Sequence, residues 1–302
     1  MQGVEDSGKR NSAILQLAQN RRGRDWFVGD IHGEYGLLMR ALEMADFDEQ
    51  CDRLISVGDL VDRGPDSARM LMFILEQPKW FHSILGNHEL MLAAAIGNAP
   101  HGARDVWSYN GGGWVDAEIL TEVVTGILAK LPLAIELILT DGRKAGVIHA
   151  ELPPEYTWAQ IASRHITLDD AMRQGDKLIG SLLWGRRRIK SALRVRRSVK
   201  ATTVPLYDRI KALEDLQPVS DLDLLIMGHT QLSPRLPLRV GNLQWIDTGA
   251  GYPRGVLSLV DPVAGLCIQA GNPRSARIVD LPPAVDLTRW RLTDRQLSRS
   301  RV

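Results

Sequence analysis

Six side chains with oxygen or imidazole donors stand in one repeated setting along this chain. Asp30 and His32 lie in Gly29-Asp30-Ile31-His32-Gly33, Asp59 in Gly58-Asp59-Leu60-Val61-Asp62-Arg63-Gly64, and Asn87 in Gly86-Asn87-His88-Glu89. His149 closes Ala145-Gly146-Val147-Ile148, and His229 closes Leu224-Leu225-Ile226-Met227-Gly228. Each follows a short apolar run of the kind that forms a strand, beginning with Trp26-Phe27-Val28 and Leu54-Ile55-Ser56-Val57. Carboxylate, imidazole and amide oxygen together suit a borderline divalent ion such as manganese, iron or zinc.

Two such ions, about 3.5–4 Å apart, need a bridging carboxylate and two or three further ligands each. Asp59 is the natural bridge. Asp30, His32 and His229 can complete one ion, and Asn87 and His149 the other. Such a pair holds a phosphoryl oxygen and activates water for in-line displacement. His88, next to Asn87, is placed to protonate a leaving oxygen, and Asp62 to orient it and raise its pKa. Arg63 offers a planar fork for phosphate oxygens. A lone Gly-Asp or Gly-His pair is ordinarily a turn or a cap. Six donors in one recurring context are not expected by chance, whereas His82, His101 and His165 fall outside the pattern.

The elements that must position these residues follow a βαβ rhythm from Asp25 onward. A helix is expected over Glu34–Ala45, with Leu37, Leu38, Ala41, Leu42 and Ala45 on one stripe, and another from Pro65-Asp66 through Leu75. A third covers His88–Ile96. Alternation of this kind argues for parallel strands with helices outside. Trp107 to Trp114 is a glycine-rich turn between aromatics, expected to be structural, and Ile119 to Leu128 repeats at helical spacing. Beyond Leu131, Leu133–Thr140 and Lys144–Ile148 form an expected hairpin about Asp141-Gly142. Residues 151–217 are polar and helical. The late strands Leu222–Met227, Leu243–Ile246, Val256–Val260 and Leu266–Gln269 suggest a second sheet packed on the first. Ser12–Gln19 is expected as a short amphipathic helix.

The chain has 302 residues, a 44% hydrophobic fraction and a net charge of +1. These values describe an ordinary globular protein and give no reason to invoke a nucleic-acid or membrane partner. Cys51 and Cys267 are isolated and expected to be free thiols in a reducing compartment. The polar N-terminus lacks the apolar segment of a signal peptide, and no run approaches the ~18 apolar residues of a membrane span. A cytoplasmic location is the expectation.

The runs GDIHG, GDLVDRG and GNHE, followed by IHA at 148–150 and GHT at 228–230, resemble the calcineurin-like metallophosphoesterases. More closely they resemble the phosphoprotein-phosphatase branch that includes bacterial and lambda-phage Ser/Thr protein phosphatases. Asn110-Gly111-Gly112 and Trp245-Ile246-Asp247-Thr248-Gly249-Ala250 are similar to that branch too. The similarity spans roughly residues 25 to 262. It implies an α/β fold with two mixed sheets packed as a sandwich flanked by helices. It also implies two divalent ions, manganese in the first place with iron or zinc as alternatives, and phosphomonoester hydrolysis by a metal-bound water.

By this resemblance the metal ligands are Asp30, His32, Asp59, Asn87, His149 and His229. The acid pair is His88 and Asp62, and Arg63 binds phosphate. A second phosphate arginine falls on Arg186, with Arg188 as the alternative, because Leu182-Leu183-Trp184-Gly185-Arg186 resembles its surroundings. The implied domains are an N-terminal extension (1–24), a catalytic domain (25–273) and a basic C-terminal tail (274–302). The implied substrate is a phosphorylated protein or small phosphoester. A dinucleoside polyphosphate (Ap4A-type) hydrolase is the alternative enzyme. A non-catalytic metal scaffold would need none of His88, Asp62 and Arg63.

Two features depart from the branch or add to it. Leu85 stands where many relatives have Arg or Lys before Gly-Asn-His-Glu. The basic run Arg186, Arg187, Arg188, Lys190, Arg194, Arg196, Arg197 and Lys200 is either a solvated helix face or a surface that steers anions.

Overall fold

A computed structural model describes residues 13–76, 78–97, 102–115, 126, 128–173, 175–198, 204–271, 275–287 and 290. The apolar runs that end in the candidate ligands become strands covered on both faces, as their unbroken hydrophobicity requires. One sheet contains β1 (Ile14–Leu17), β5 (Ala134–Ile138), β6 (Lys144–Ile148), β7 (Leu224–Met227), β8 (Leu238–Val240) and β9 (Leu243–Trp245), in the order β1-β5-β6-β7-β9-β8. The other contains β2 (Asp25–Val28), β3 (Arg53–Ser56), β4 (Phe81–Ser83), β10 (Val256–Asp261), β11 (Leu266–Gly271) and β12 (Ser275–Asp280), in the order β12-β11-β10-β2-β3-β4.

The two sheets meet face to face. Phe27 and Ile55 from one and Ile135, Leu137, Ala145, Val147, Leu224 and Ile226 from the other make the layer between them. Their strand neighbours Trp26, Val28, Leu54, Leu225 and Met227 point the opposite way, into a larger core with the helices. This is the period of two read across a double-faced strand. Helices α1 (Tyr35–Met44), α2 (Ser67–Glu76) and α3 (Asn87–Ile96) fall where expected, and α1 buries Leu37, Leu38, Ala41 and Leu42. A shorter helix, α4 (Ala103–Tyr109), precedes the triple glycine.

Within the sheets, β2, β3 and β4 are parallel, as are β6, β7 and β9. Their C-terminal ends therefore gather the candidate residues at one end of the sandwich. Asp30, Asp59 and Asn87 arrive from one sheet, and His149 and His229 from the other.

Three expectations differ from the structure. Ile14–Leu17 is a strand, not part of a helix, and pairs in parallel with β5. A lone helix of about two turns is marginal in water, whereas the open edge of β5 offers backbone partners at once. The late strands do not make a sheet of their own. β7, β8 and β9 extend the β5–β6 hairpin, while β10 runs antiparallel to β2 and carries β11 and β12 outward. Within the expected tail, Ser275–Asp280 is that outer strand and Trp290 is buried. Ile119, Leu120, Val123, Val124 and Ile127 of the expected helical pattern, with His101 and Lys200, lie outside the described residues. Both thiols are free, with Cys267 in the intersheet layer. Among the described residues no helix is long and apolar enough to cross a membrane.

One histidine gives the fold a pH dependence of its own. Burial, with Arg53 nearby, lowers the pKa of His82 on β4 to about 4, from 6.5. The folded protein holds this imidazole neutral while the unfolded chain protonates it. Stability therefore falls as pH drops from 6.5 towards 4 and is not lowered further by this group below that. The expected loss is on the order of 3 kcal/mol at most. Urea unfolding at several pH values should show it in the wild type and not in His82→Gln. Parallel curves for the two proteins would contradict it.

Candidate metal centre

Backbone geometry sets the site before any side chain is considered. His32, Asp59, Asp62, Arg63 and His229 all have left-handed φ values, of 47°, 51°, 73°, 69° and 67°. Such angles cost on the order of 1 kcal/mol or more each for residues with a Cβ. Cross-ties between the loops hold them there. The N–H groups of Ile31 and His32 donate to the Asp59 carbonyl at 3.0 and 2.9 Å, and Gly64 donates back to the His32 carbonyl at 2.9 Å. The turns after β2 and β3 thus form one unit. Gly86 and Gly228 are needed for contact, because a Cβ on either would run into Asp59 or Asp30.

Glu89, whose side chain is fully buried, anchors the central loop. Its carboxylate accepts from the N–H groups of Asp59 (2.9 Å), Leu60 (2.7 Å), Val61 (3.3 Å) and Gly86 (3.0 Å). Asp59 Oδ1 in turn accepts from the His88 N–H at 2.9 Å. Asp59 Oδ2 is left facing three imidazoles: His149 Nε2 at 3.4 Å, His32 Nε2 at 3.7 Å and His88 Nε2 at 4.0 Å. Asn87 Oδ1 lies 2.8 Å from both His149 Nε2 and His229 Nδ1. Asp30 accepts from the His229 N–H at 3.1 and 3.0 Å, which joins the two sheets directly.

The residues present fit metal ions. His32 Nδ1 lies 3.1 Å from the Val61 carbonyl and His149 Nδ1 lies 2.8 Å from the Val57 carbonyl. A carbonyl can only accept, so each Nδ1 carries a proton, which leaves Nε2, on the cluster side, as the atom each ring can offer to an ion. His32, Asp59 and His88 form one ligand-sized group, and Asp59, His149 and His229 form another. The electrostatics agree. Burial and the neighbouring charges of Asp247 and Asp59 push the Asp30 carboxyl well above its ordinary range. Burial, then the Asp59 charge, pushes Glu89 up to about 7, and burial chiefly moves Asp247 up to about 6. Burial acts against ionisation of Asp59 too, but the surrounding His149 and His88 hold it well below the usual carboxylate range. Burial opposes protonation of His149 as well, yet Asp59 lifts its pKa to about 9. A buried set of carboxylates that raise one another is short of cations. The arrangement suits a dinuclear divalent-metal centre sharing Asp59.

The expected acid pair and phosphate arginines lie beside it. His88 Nδ1 is 2.7 Å from Asp62 Oδ2. Asp62 Oδ1 accepts from the indoles of Trp107 (2.9 Å) and Trp114 (2.7 Å), so neither carboxylate oxygen is free to turn. Arg63 reaches His32 Nε2 and His88 Nε2 with its two Nη atoms and lies over the Tyr252 ring at 4.6 Å. Its own N–H donates to the Gly111 carbonyl at 2.9 Å, which is the structural use of the triple glycine. Arg186 Nε donates to His229 Nε2 at 3.1 Å. Arg188 is buried, with Nη1 on the Gln217 carbonyl at 2.7 Å. Of the two arginines weighed from sequence, Arg186 is the one that reaches the cluster.

Sequence reasoning named every one of these side chains except Glu89, Trp107, Trp114, Asp247 and Tyr252 as working parts. Glu89 sat in the Gly-Asn-His-Glu run, and the tryptophans flanked the triple glycine. Their tasks are contacts with residues 28 to 52 positions away, which no local pattern announces. His82 and His165 stay outside the cluster.

Comparison with known proteins places this geometry among relatives. The calcineurin-like phosphoesterase family model matches residues 24–232. Serine/threonine-protein phosphatase 1 of Salmonella typhimurium (strain LT2) is 29% identical over 250 residues, covering 80% of this chain and 94% of that protein. Serine/threonine-protein phosphatase 2 of Escherichia coli (strain K12) is 32% identical over 233 residues, covering 74% and 87%. A symmetrical bis(5'-nucleosyl)-tetraphosphatase of Shewanella sp. (strain ANA-3) is 33% identical over 153 residues, covering 51% and 53%. Among solved structures, a protein serine/threonine phosphatase from Saccharomyces cerevisiae covers 90% of this chain and 85% of its own with a TM-score of 0.52, at 16% identity. That last likeness is one of fold.

If Glu89 organises the Asp59 loop, Glu89→Gln should cost about 2–4 kcal/mol, because an amide NH₂ then confronts backbone donors in a buried place. Urea unfolding measures it. A loss below about 1 kcal/mol would show that the loop keeps its shape without the carboxylate.

Proposed function

The chain belongs to the calcineurin-like phosphoesterases, and on that premise we propose that this metal-dependent phosphoester hydrolase is a serine/threonine protein phosphatase. Asp30, His32, Asp59, Asn87, His149 and His229 would hold two divalent ions, with Asp59 between them. Manganese is the proposed occupant, in keeping with the mixed carboxylate, amide and imidazole donors, and iron or zinc are the alternatives. When bound, the ions supply Lewis-acid neutralisation of the phosphoryl oxygens and activation of water.

The protein's own groups do the remaining work. Arg63 and Arg186 stand on opposite sides of the cluster, one against His32 and His88, the other against His229. They grip the phosphoryl oxygens and fix the group in line. His88 protonates the leaving serine or threonine oxygen from Nε2, while Asp62 holds Nδ1 and fixes the orientation of the ring. Trp107 and Trp114 keep Asp62 turned towards His88. The observation that carries this proposal is the His88–Asp62 bond, set beside the donor cluster. A protein that merely stored metal would have no use for it.

The protein-phosphatase assignment draws support from the bacterial relatives that align over most of this chain. Similarity to a bis(5'-nucleosyl)-tetraphosphatase over about half the chain favours a second reading, hydrolysis of dinucleoside polyphosphates by the same residues. The free thiols support a cytoplasmic, reducing location.

Manganese-loaded protein should hydrolyse a phosphothreonine peptide in preference to diadenosine tetraphosphate, as followed by phosphate release and chromatography. The reverse preference would move the function to nucleotide turnover. His88→Ala should retain its metal and lose activity by about 10²-fold. Asp59→Ala should lose both, as read by elemental analysis. Normal metal content in Asp59→Ala would remove it from the bridging role, and metal loss in His88→Ala would make that histidine a ligand.

A further inference from the structure

A groove of about 500 Å³ opens beside the centre, with Arg186, Arg187, Lys190, Arg194 and Lys211 as its cations. Its walls are two helices, Arg187–Arg197 and Leu206–Asp215. Residues 187, 190, 191 and 194 recur at helical spacing, so one face of the first helix forms one wall. Arg187 pairs with Asp215, and Arg194 pairs with Asp208 at 3.0 Å. The start of the first helix therefore lies against the end of the second, and the two run antiparallel. Lys190 and Lys211 consequently face each other halfway along.

The charges along this groove are unequal. Five cations stand against the carboxylates of Asp208 and Asp215, leaving the lining at +3. Asp215 is buried and already engaged by Arg187 and by Ser191 Oγ. Arg187 also meets Glu155 at the rim, at 3.2 Å. Among the described residues, neither Lys190 nor Lys211 has an ion pair. Two ammonium groups without a carboxylate partner thus line the same groove, and an anion laid along it is attracted by both.

The groove is continuous with the proposed phosphate site. Arg186 belongs to both, and the Trp184 ring lies 6.2 Å from that of His229. At about 1.5 Å per residue, Lys190 lies about 6 Å along the helix axis from Arg186. An extended chain covers that in about two residues, or three to four with allowance for side-chain reach. The groove is open, with Tyr207 at its far end 73% exposed. It suits a strand of polypeptide laid across it more than an enclosed base.

We propose that the Lys190–Lys211 pair is a substrate-recognition subsite, which selects phosphoprotein segments carrying an acidic or second phosphorylated residue about two to four positions from the phosphate removed. This rests on the protein-phosphatase assignment above. The test uses manganese-loaded full-length protein and two phosphothreonine peptides, one with glutamates at positions two to four on either side and one with alanines there. p-Nitrophenyl phosphate serves as the small ester. Wild type should show a KM about tenfold lower for the acidic peptide, shrinking as salt is raised. The double variant Lys190→Ala/Lys211→Ala should raise that KM about three- to tenfold, the scale of two partly exposed ion pairs. It should leave the neutral peptide and the small ester unchanged.

Equal KM values for the two peptides in the wild type, or an undiminished preference in the double variant, would overturn the subsite. So would a variant impaired on diadenosine tetraphosphate and unimpaired on the acidic peptide. Hydrolysis of the neutral peptide tests the phosphatase assignment separately. A protein that cleaves p-nitrophenyl phosphate and neither peptide sinks that assignment and the subsite with it, whereas one that cleaves both peptides equally sinks the subsite alone.

Discussion

Four backbone N–H groups from two chain segments converge on the carboxylate of Glu89. The segments are the turn after β3 and the entry to α3, and they supply Asp59, Asn87 and His88. A buried carboxylate satisfied in this way fixes the turn that holds Asp59 at a left-handed φ. It thereby aims Asp59 Oδ2 at three imidazoles. Glu89 touches none of the imidazoles. The geometry of the centre nevertheless depends on it, because it ties the Asp59 turn to the segment that carries Asn87.

The sandwich supplies a second constraint. Parallel strands in both sheets deliver their C-terminal ends to the same edge, so the centre straddles the seam between the sheets. The Asp30 carboxylate, which accepts from the His229 N–H across that seam, is at once a candidate ligand and a cross-link. Burial there is nearly complete for Asp30, His32, Asp59, Asn87 and His149. Concentrated buried negative charge destabilises the protein unless cations compensate it, and the site's own imidazoles do so only in part. The same scaffold thus makes the fold's core and its demand for metal inseparable.

Outside the centre, the positive charge is graded. Arg63 and Arg186 stand at the cluster, and the groove beyond Arg186 continues with Lys190 and Lys211. Arg187, Arg188 and Arg194 are neighbours in sequence but are spent on Asp215, Gln217 and Asp208. The basic run is therefore not one patch. Pairing within the two helices sorts it into structural and available members.

The sequence determined the ligand types, their strand-end setting and most of the helices, since each is a local matter of periodicity, turn chemistry and donor identity. It also pointed to the pairing of His88 with Asp62, as both stand inside the motifs. Tertiary structure alone decided which elements those motifs would share. The assignment of β10–β12 to the sheet of β2, and of β1 to the edge of β5, depends on backbone pairing between distant segments, which hydrophobic pattern does not encode. Likewise Trp107 and Trp114 became the holders of Asp62, and Glu89 the anchor of Asp59, through contacts across many residues. The distinction between Arg186 and Arg188 was equally invisible in a run of three arginines. It follows from a helix starting at Arg187, which turns one guanidinium towards His229 and buries the other against Gln217.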